Sequence, residues 1–269
     1  MTDQQNAIRE GTWRVLENTA LTPNTYEMRL HCKDAVPFEA FQPGQFMHLR
    51  LPNAPHLLLR RPISVHHCDK AAQTYTLQYM VVGQGTEALA HLQVDDTLSA
   101  IAPVGNGFPL RLDGQGAPEK IWLLGGSLGS APLYAIAEAL SHAQIEAFLG
   151  WATATDVIAT ERWQQKTTLH TYTDDGTLGE AGFALDGLLR RLEQERPDVI
   201  YACGPMAMLQ ALAAQLPTDI ACYVSLEARM GCGMGACLVC NCQIQTEQGP
   251  EHQRVCVDGP IYNLREVMF

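Results

Sequence analysis

Charged residues are few in this sequence, and basic residues are the scarcer kind. Only 17% of the 269 residues are charged, and 29 acidic against 18 basic side chains give a formal net charge of −11. A protein that binds nucleic acid needs Lys and Arg to neutralise phosphates, so this balance predicts no nucleic-acid partner. An acidic surface is typical of a soluble protein, and we expect a cytoplasmic location.

Long apolar runs and an export signal are also missing. No stretch of about 18 consecutive apolar residues occurs, which predicts that no segment spans a membrane. Residues 1–5 (MTDQQ) contain neither the basic nor the apolar region of a signal peptide, so we expect none. The nine cysteines are an odd number, and in this context they favour a reducing compartment over a disulfide framework.

The first expected domain comprises residues 1–112. Short alternating runs of apolar and polar residues, separated by Pro and Gly, predict a small antiparallel β-barrel or sandwich there. The expected strands are residues 12–19, 25–32, 45–51, 74–82 and 97–102, with a short helix at 86–91.

A second domain is expected at residues 113–224, where strands alternate with helices. This alternation predicts a parallel sheet covered on both faces. The expected strands are residues 121–124, 145–151, 168–173, 199–203 and 220–225, and the expected helices are 131–141, 182–195 and 205–215. A linker at 113–118 (DGQGAP) marks the boundary, and residues 225–269 form a cysteine-rich module. The predicted fold class is therefore multidomain α+β.

Four cysteines near the end of the chain carry the strongest chemical signal. Cys232, Cys237 and Cys240 are spaced C-x4-C-x2-C, and Cys256 follows after fifteen intervening residues. This is the ligand pattern of a plant-type [2Fe–2S] cluster. Glycines at 231, 233 and 235 let the loop turn tightly and direct its amide N–H groups toward the sulfurs.

A zinc-bound scaffold is the alternative interpretation of these cysteines. Zinc sites usually contain two CxxC pairs or a mixture of Cys and His, and the only CxxC here joins Cys237 to Cys240. Cys242 breaks the spacing, so we leave it out of the ligand set.

Other cysteines are read as structural. Cys68 follows His66 and His67, but adjacent side chains of a strand diverge, which disfavours a metal site there. Cys32 and Cys222 lie in strand-like runs, where a free Cys usually behaves as a small hydrophobe.

Two motifs in the first domain indicate a flavin. Arg61-Pro62-Ile63-Ser64 offers an Arg for a pyrophosphate and a Ser for the ring edge; an Arg making surface pairs is the alternative. Gly83-Gln84-Gly85-Thr86 opens the predicted helix, where free N–H groups favour a phosphate. A simple turn is the alternative for that segment, so the prediction depends on finding the two motifs together and in this order.

Two further motifs follow strands of the second domain. Residues 125–133 (GGSLGSAPL) lie at the carboxyl edge of the sheet, where open α/β sheets bind nucleotides, although the run is not G-x-G-x-x-G. Cys203-Gly204-Pro205 lies at the same edge. A tight turn and a buried structural Cys are the alternatives for these two segments.

The order of these motifs resembles the ferredoxin–NADP reductase superfamily, in which a flavin barrel precedes a nicotinamide domain. Residues 225–233 (SLEARMGCG) and 254–260 (RVCVDGP) resemble the electron transfer subunits of class B dihydroorotate dehydrogenases, as do residues 102–108 (APVGNGF). The similarity runs from about residue 11 to residue 267. Ser127-Leu128 departs from that family, which more usually has an Ile-Gly-type pair.

The resemblance implies FAD, a [2Fe–2S] cluster, NAD and a protein partner. The implied cofactor-binding residues are Arg61, Pro62, Ile63, Ser64, Gln78, Tyr79, Met80, Gly85, Thr86, Gly125, Gly126, Gly129, Cys203 and Gly204. The implied cluster ligands are Cys232, Cys237, Cys240 and Cys256. The partner would be an FMN-containing catalytic subunit that oxidises dihydroorotate to orotate, and the complex is expected to be a heterotetramer.

The expected function is electron transfer from that FMN through the cluster and FAD to NAD⁺, in de novo pyrimidine (UMP) biosynthesis. We expect no acid–base catalytic residue in this chain, because dihydroorotate would lose its proton in the partner. The alternative is an NAD(P)H-dependent reductase that feeds an oxygenase or hydrogenase component. NAD is favoured over NADP because residues 152–156 (ATATD) lack the Arg expected for a 2′-phosphate.

Overall fold

The first domain is a closed six-stranded barrel. The computed structural model describes residues 9–34, 38–51, 54, 56–112, 114 and 116–269, so residues 1–5 and part of the predicted linker lie outside the described residues. The barrel strands are β1 (Arg9–Ala20), β2 (Thr25–Cys32), β3 (Phe46–Arg50), β4 (Arg61–Asp69), β5 (Thr74–Met80) and β6 (Thr97–Val104), and helix α1 spans Gln84–Ala90. They close in the order β1-β2-β5-β4-β3-β6, with antiparallel neighbours.

The predicted barrel strands are all present, and β4 is an additional strand that the alternation did not reveal. Pro62 and the neighbouring His66 and His67 interrupt its period-two pattern. Inward residues such as Trp13, Met28 and Leu77 fill the barrel core, as alternation along each strand requires.

The second domain contains a seven-stranded sheet. Its strands are β7 (Lys120–Gly126), β8 (Gln144–Trp151), β9 (Thr168–Thr173), β10 (Glu180–Ala181), β11 (Val199–Cys203), β12 (Ala221–Ser225) and β15 (Ile261–Asn263). They lie in the order β10-β9-β8-β7-β11-β12-β15. Its helices are α2 (Ser130–Ala139), α3 (Thr160–Gln164), α4 (Ala184–Leu192) and α5 (Met206–Gln215).

Both faces of this sheet are buried, as predicted for a parallel sheet. On β7, Trp122 and Leu124 join one apolar core while Ile121 and Leu123 join another. The short helix α3 was not predicted. None of the helices in the described part of the chain is long and apolar enough to cross a bilayer.

The cysteine module has a small sheet of its own and contributes one strand to the sheet of the second domain. Strands β13 (Asn241–Thr246), β14 (Gly249–Arg254) and β16 (Val267–Met268) form a sheet in the order β14-β13-β16. The intervening strand β15 instead pairs antiparallel with β12, with Ser225 opposite Ile261. The fold class is confirmed, and the limits of the three domains stay a prediction.

Candidate cofactor sites

A cleft of about 880 Å³ lies where the barrel, the second domain and the start of the cysteine module meet. Every predicted cofactor-binding residue except Gly125 lines it. Gly125 lies behind the cleft wall, where a Cβ would press against Leu149 and Ser130. The fold thus brings motifs that are more than a hundred residues apart in sequence onto one surface.

The flavin motif places a positive charge at the start of α1. The side chain of Arg61 crosses over Gly85, where a Cβ would overlap the guanidinium, and it donates a hydrogen bond to the carbonyl of Leu59. The Thr86 hydroxyl donates to the Gly83 carbonyl (3.1 Å) and accepts from the Val82 N–H (2.9 Å). These bonds fix the turn beside Arg61 in a form that suits a phosphate.

Strand β5 supplies mainly backbone to the cleft. The ring of Tyr79 belongs to the barrel core, and its hydroxyl donates to Asn18 Oδ1 at 2.9 Å. The side chain of Gln78 donates to Glu27 Oε2, also at 2.9 Å. Both residues line the cleft, so the atoms that they offer a ligand are mostly main-chain donors and acceptors.

The two loops of the second domain touch each other at the cleft. The chain leaves β7 through a 3-10 turn at Ser127–Gly129 and enters α2 directly. A Cβ on Gly129 would overlap the carbonyl of Cys203, so this close approach requires glycine. Ser127 adopts a left-handed φ of 52°, a conformation that costs a non-glycine residue about 1–2 kcal/mol.

Cys203 ends β11 next to two polar residues that the sequence analysis did not assign to the site. Burial raises the pKa of its thiol, so the group is neutral near pH 7. Ser225 pairs with Cys203 in the parallel register, and both Ser225 and Glu227 line the cleft. The cleft walls desolvate Glu227 and raise the pKa of its carboxyl group. The position of Ser225 and Glu227 at the carboxyl end of β12 is the sequence feature that could have identified them as site residues.

The cysteine loop turns its amides toward sulfur, as predicted. The N–H groups of Met234 and Ala236 donate to Cys232 Sγ at 3.4 and 3.3 Å, and the N–H of Cys232 donates to Cys237 Sγ at 3.4 Å. Burial opposes ionisation of Cys232, but the hydrogen bonds to its thiol from Met234, Cys237 and Ala236 prevail and lower its pKa to about 7. A loop of this kind stabilises thiolates, which are the form that binds iron.

The four thiols are arranged as two pairs. Cys232 contacts Cys237, and Cys240 contacts Cys256. No three His, Cys, Asp or Glu side chains of the described residues converge on one metal position. Cys256 also interacts with Cys232, so the two pairs form one group. Two pairs of thiols in one group fit a [2Fe–2S] cluster, in which each iron takes two of the four cysteines.

The fifth nearby thiol faces another way. Cys242 lies on β13, and its Sγ donates to the carbonyl of Gln253 at 3.6 Å across the β13–β14 pair. Its pKa is raised by burial, and it also contacts Tyr262. This placement supports leaving Cys242 out of the proposed ligand set.

Helix α2 is clamped onto β4 by two adjacent histidines with different partners. His66 is 1% exposed, and its Nδ1 lies 3.0 Å from the Ala131 carbonyl, while His67 Nδ1 lies 2.7 Å from Glu138 Oε2. Burial lowers the pKa of His66 to about 4, whereas the hydrogen bond to Glu138 raises the pKa of His67.

Comparisons with known proteins point to one family. Residues 227–268 match the family model described as the iron-sulfur cluster binding domain of dihydroorotate dehydrogenase B. The chain is similar to two proteins named "Dihydroorotate dehydrogenase B (NAD(+)), electron transfer subunit". The one from Shouchella clausii is 35% identical over 97% of this chain and 99% of the relative. The one from Listeria welshimeri is 38% identical over 94% of this chain and 97% of the relative.

Solved structures show the same architecture. An NADH-dependent reduced ferredoxin-NADP oxidoreductase superposes with a TM-score of 0.81 at 25% identity, covering 95% of this chain and 89% of that chain. The ferredoxin reductase in carbazole 1,9a-dioxygenase superposes with a TM-score of 0.66 at 20% identity, covering 79% and 67%. The second likeness concerns the fold alone. With its full-length relatives, its paired cysteines and its shared cleft, the chain belongs to the family of dihydroorotate dehydrogenase B (NAD⁺) electron transfer subunits.

Proposed function

We propose that this chain carries electrons from a dihydroorotate-oxidising, FMN-containing partner to NAD⁺, with a [2Fe–2S] cluster in its C-terminal module and FAD in its cleft. When bound, the cluster exchanges single electrons and the flavin exchanges one or two, which suits a path that ends in hydride transfer. The observation that carries the proposal is the shared cleft. Met230 lines its wall, and Cys232 follows two residues later, within about 7 Å along the chain.

Different residues of the cleft would bind different parts of the cofactors. Arg61 and the turn at Thr86 would hold the flavin pyrophosphate, and Ser64 would bond to the ring. The loops at Gly129 and Gly204 leave room for a nicotinamide nucleotide beside Cys203, whose neutral thiol adds no charge there. The chain needs no acid–base residue for dihydroorotate, because that substrate would bind in the partner.

The cluster loop also presents the surface that we propose for the partner. Cys237 is exposed, and three apolar side chains beside it are more than half exposed: Met234, Leu238 and Val239. Exposed apolar residues grouped in this way are typical of a protein–protein contact. A heterotetramer of two such chains and two catalytic subunits is the assembly that we propose.

The test begins with the purified full chain and its cofactors. We expect flavin and an iron–sulfur absorption envelope, NADH-dependent dye reduction, and no oxidation of dihydroorotate until the catalytic subunit is added. A colourless protein with stoichiometric zinc, or turnover of dihydroorotate by this chain alone, would contradict the proposal.

Cysteine variants separate the cluster from the flavin. Cys237→Ser should lose iron and acid-labile sulfide, retain FAD and NADH-dependent dye reduction, and abolish dihydroorotate-dependent NAD⁺ reduction in the complex. Cys242→Ser is the matched control. Cys242 is also close in sequence to the proposed ligands, but its thiol donates a hydrogen bond to the Gln253 carbonyl. Equal loss of cluster in both variants would show that the ligand set is wrong.

A further inference from the structure

A buried histidine lies between the barrel and the cysteine loop. His48 is on β3 and is 0% exposed. Its neighbours Met47 and Leu49 belong to the barrel core, so the alternation of the strand turns His48 outward. Phe46, on the same outward face, packs within the apolar core that contains Cys240 and Cys256. The outer face of β3 is therefore a wall of the cysteine module.

The ring of His48 lies directly against the loop that holds Cys232. A Cβ on Gly233 would overlap Nδ1 of the ring, and Gly233 has a left-handed φ of 70°. Glycine is required there for two reasons: the backbone conformation is left-handed, and a side chain would overlap the imidazole. The backbones of Cys232 and Arg60 both face the ring and favour its protonated form, so each presents an acceptor.

Neither ring nitrogen of His48 makes a hydrogen bond of good geometry with a described residue. Leaving a buried polar atom without a partner is costly, and native proteins seldom do so. A neutral imidazole has one N–H donor and one acceptor nitrogen. A ring N–H in this position meets the backbone acceptor of Cys232, whose own thiolate takes on more negative charge when a cluster is reduced.

We propose that His48 is a positioning residue for the iron–sulfur centre, which directs a ring N–H at the Cys232 end of the cluster loop. This contact fixes the position of the loop on the barrel. The hydrogen bond also raises the reduction potential of the centre. This inference rests on the proposed function, because it requires a cluster in the module.

The position of His48 also connects the two cofactor sites. In the β3–β4 pair it lies opposite Pro62, within the Arg61-Pro62-Ile63-Ser64 motif that lines the cleft. The imidazole and the flavin motif therefore lie on adjacent, paired strands, and the imidazole lies between β3 and the cluster loop.

The first experiment uses the full chain with its natural cofactors and histidine labelled with ¹⁵N. Pulsed electron paramagnetic resonance of the reduced cluster should show a weakly coupled nitrogen that changes with the label and disappears in His48→Leu. Labelled wild-type protein with an intact cluster signal but no histidine coupling would overturn the inference. Absence of any cluster signal would instead overturn the proposed function.

The second experiment measures the reduction potential of the cluster. One hydrogen bond is worth roughly tenfold in an equilibrium, so His48→Leu should lower the potential by about 59 mV for one electron. His48→Gln, which keeps an N–H donor, should recover part of the shift. His66→Leu is the matched control, since that histidine is equally buried but faces Ala131, and it should leave the cluster potential unchanged.

The outcomes of the second experiment are decisive. If His48→Leu folds without a full cluster, the potential of His48→Gln and the labelled wild type still test the inference. A wild-type potential in a fully loaded His48→Leu protein, or equal shifts in the His48 and His66 variants, would show that His48 has a packing role only.

Discussion

The barrel meets its two neighbours through seams of opposite character. The seam with the second domain, the nucleotide seam, is charged. It consists of His66 and His67 against α2, with His67 paired to Glu138, and of Glu27, whose carboxylate accepts hydrogen bonds from the two terminal guanidinium nitrogens of Arg162 at 2.5 and 2.9 Å. Salt and pH act directly on contacts of this kind.

The seam with the cysteine module, the module seam, consists mainly of apolar and neutral polar contacts among the described residues. Phe46 and Val104 belong to the apolar core of the module, and His48 carries no charge at neutral pH because burial and Arg60 lower its pKa to about 4. Asn106 adds a side-chain amide that donates hydrogen bonds to the backbone carbonyls of Asp258 and Ile261 in the cysteine module. The difference teaches that the nucleotide domain is held by contacts that respond to solution conditions, whereas the module is held by packing and neutral hydrogen bonds.

The largest effect is expected from Asn106→Ala at the module seam. The Asn106 amide donates to the carbonyls of Asp258 and Ile261 at 3.0 Å each, and its oxygen accepts from the Ile261 N–H at 2.9 Å. Removing the side chain leaves these backbone groups unpaired, which should cost about 3 kcal/mol of unfolding free energy. Urea unfolding measures the loss, and hydrogen exchange should show faster opening of the module.

Asn18→Ala is the control for that experiment. Its amide donates to the carbonyls of Leu89, Ala90 and Leu92 within the first domain. It should also destabilise the protein but leave exchange in the module unchanged. Identical exchange patterns in the two variants would contradict a local role for Asn106.

An intermediate effect is expected from His66→Gln at the nucleotide seam. The native ring has a pKa near 4, below the ordinary value, so the unfolded chain binds a proton first as the pH falls. Stability is full above about pH 6.5 and declines as the pH falls toward 4, by about 1.36 kcal/mol per unit. Between pH 6.5 and 5 the variant should lose about 2 kcal/mol less than wild type. Urea unfolding of both proteins across this pH range tests the prediction. An equal change of unfolding free energy with pH in the two proteins would contradict it.

The smallest effect is expected from Glu138→Gln, with the opposite pH dependence. The carboxylate raises the pKa of His67, so the pair is fully stabilising below about pH 6.5 and fades as the pH rises through the native value. Because the pair is partly exposed, we expect a loss of only about 0.5 kcal/mol at pH 6 and none at pH 9. High salt should shrink the difference at pH 6. An effect that persists at pH 9 would point to packing instead.

Local patterns predicted most of the fold and the chemistry of the cluster. Alternating runs gave the barrel strands, and the spacing of Cys232, Cys237, Cys240 and Cys256 predicted the iron–sulfur module. Such features depend on residues close together in sequence, so the signal for them is local.

Features that depend on distant segments could not be predicted. His48 is significant only because Gly233 lies against it, and Asn106 only because residues 258–261 return to it. Strand β4 was hidden by Pro62 and two histidines. Gly125 is the one predicted cofactor-binding residue that does not line the cleft, and its role stays a prediction.

Strand β15 has a consequence for the solubility of any shortened form of the chain. It covers β12, whose other side is bonded to β11. A chain that stops before residue 226 would lose this cover and present the unpaired N–H and C=O groups of a buried, apolar strand. Such an edge is a template for pairing between molecules, so the iron–sulfur module also acts as a guard against aggregation.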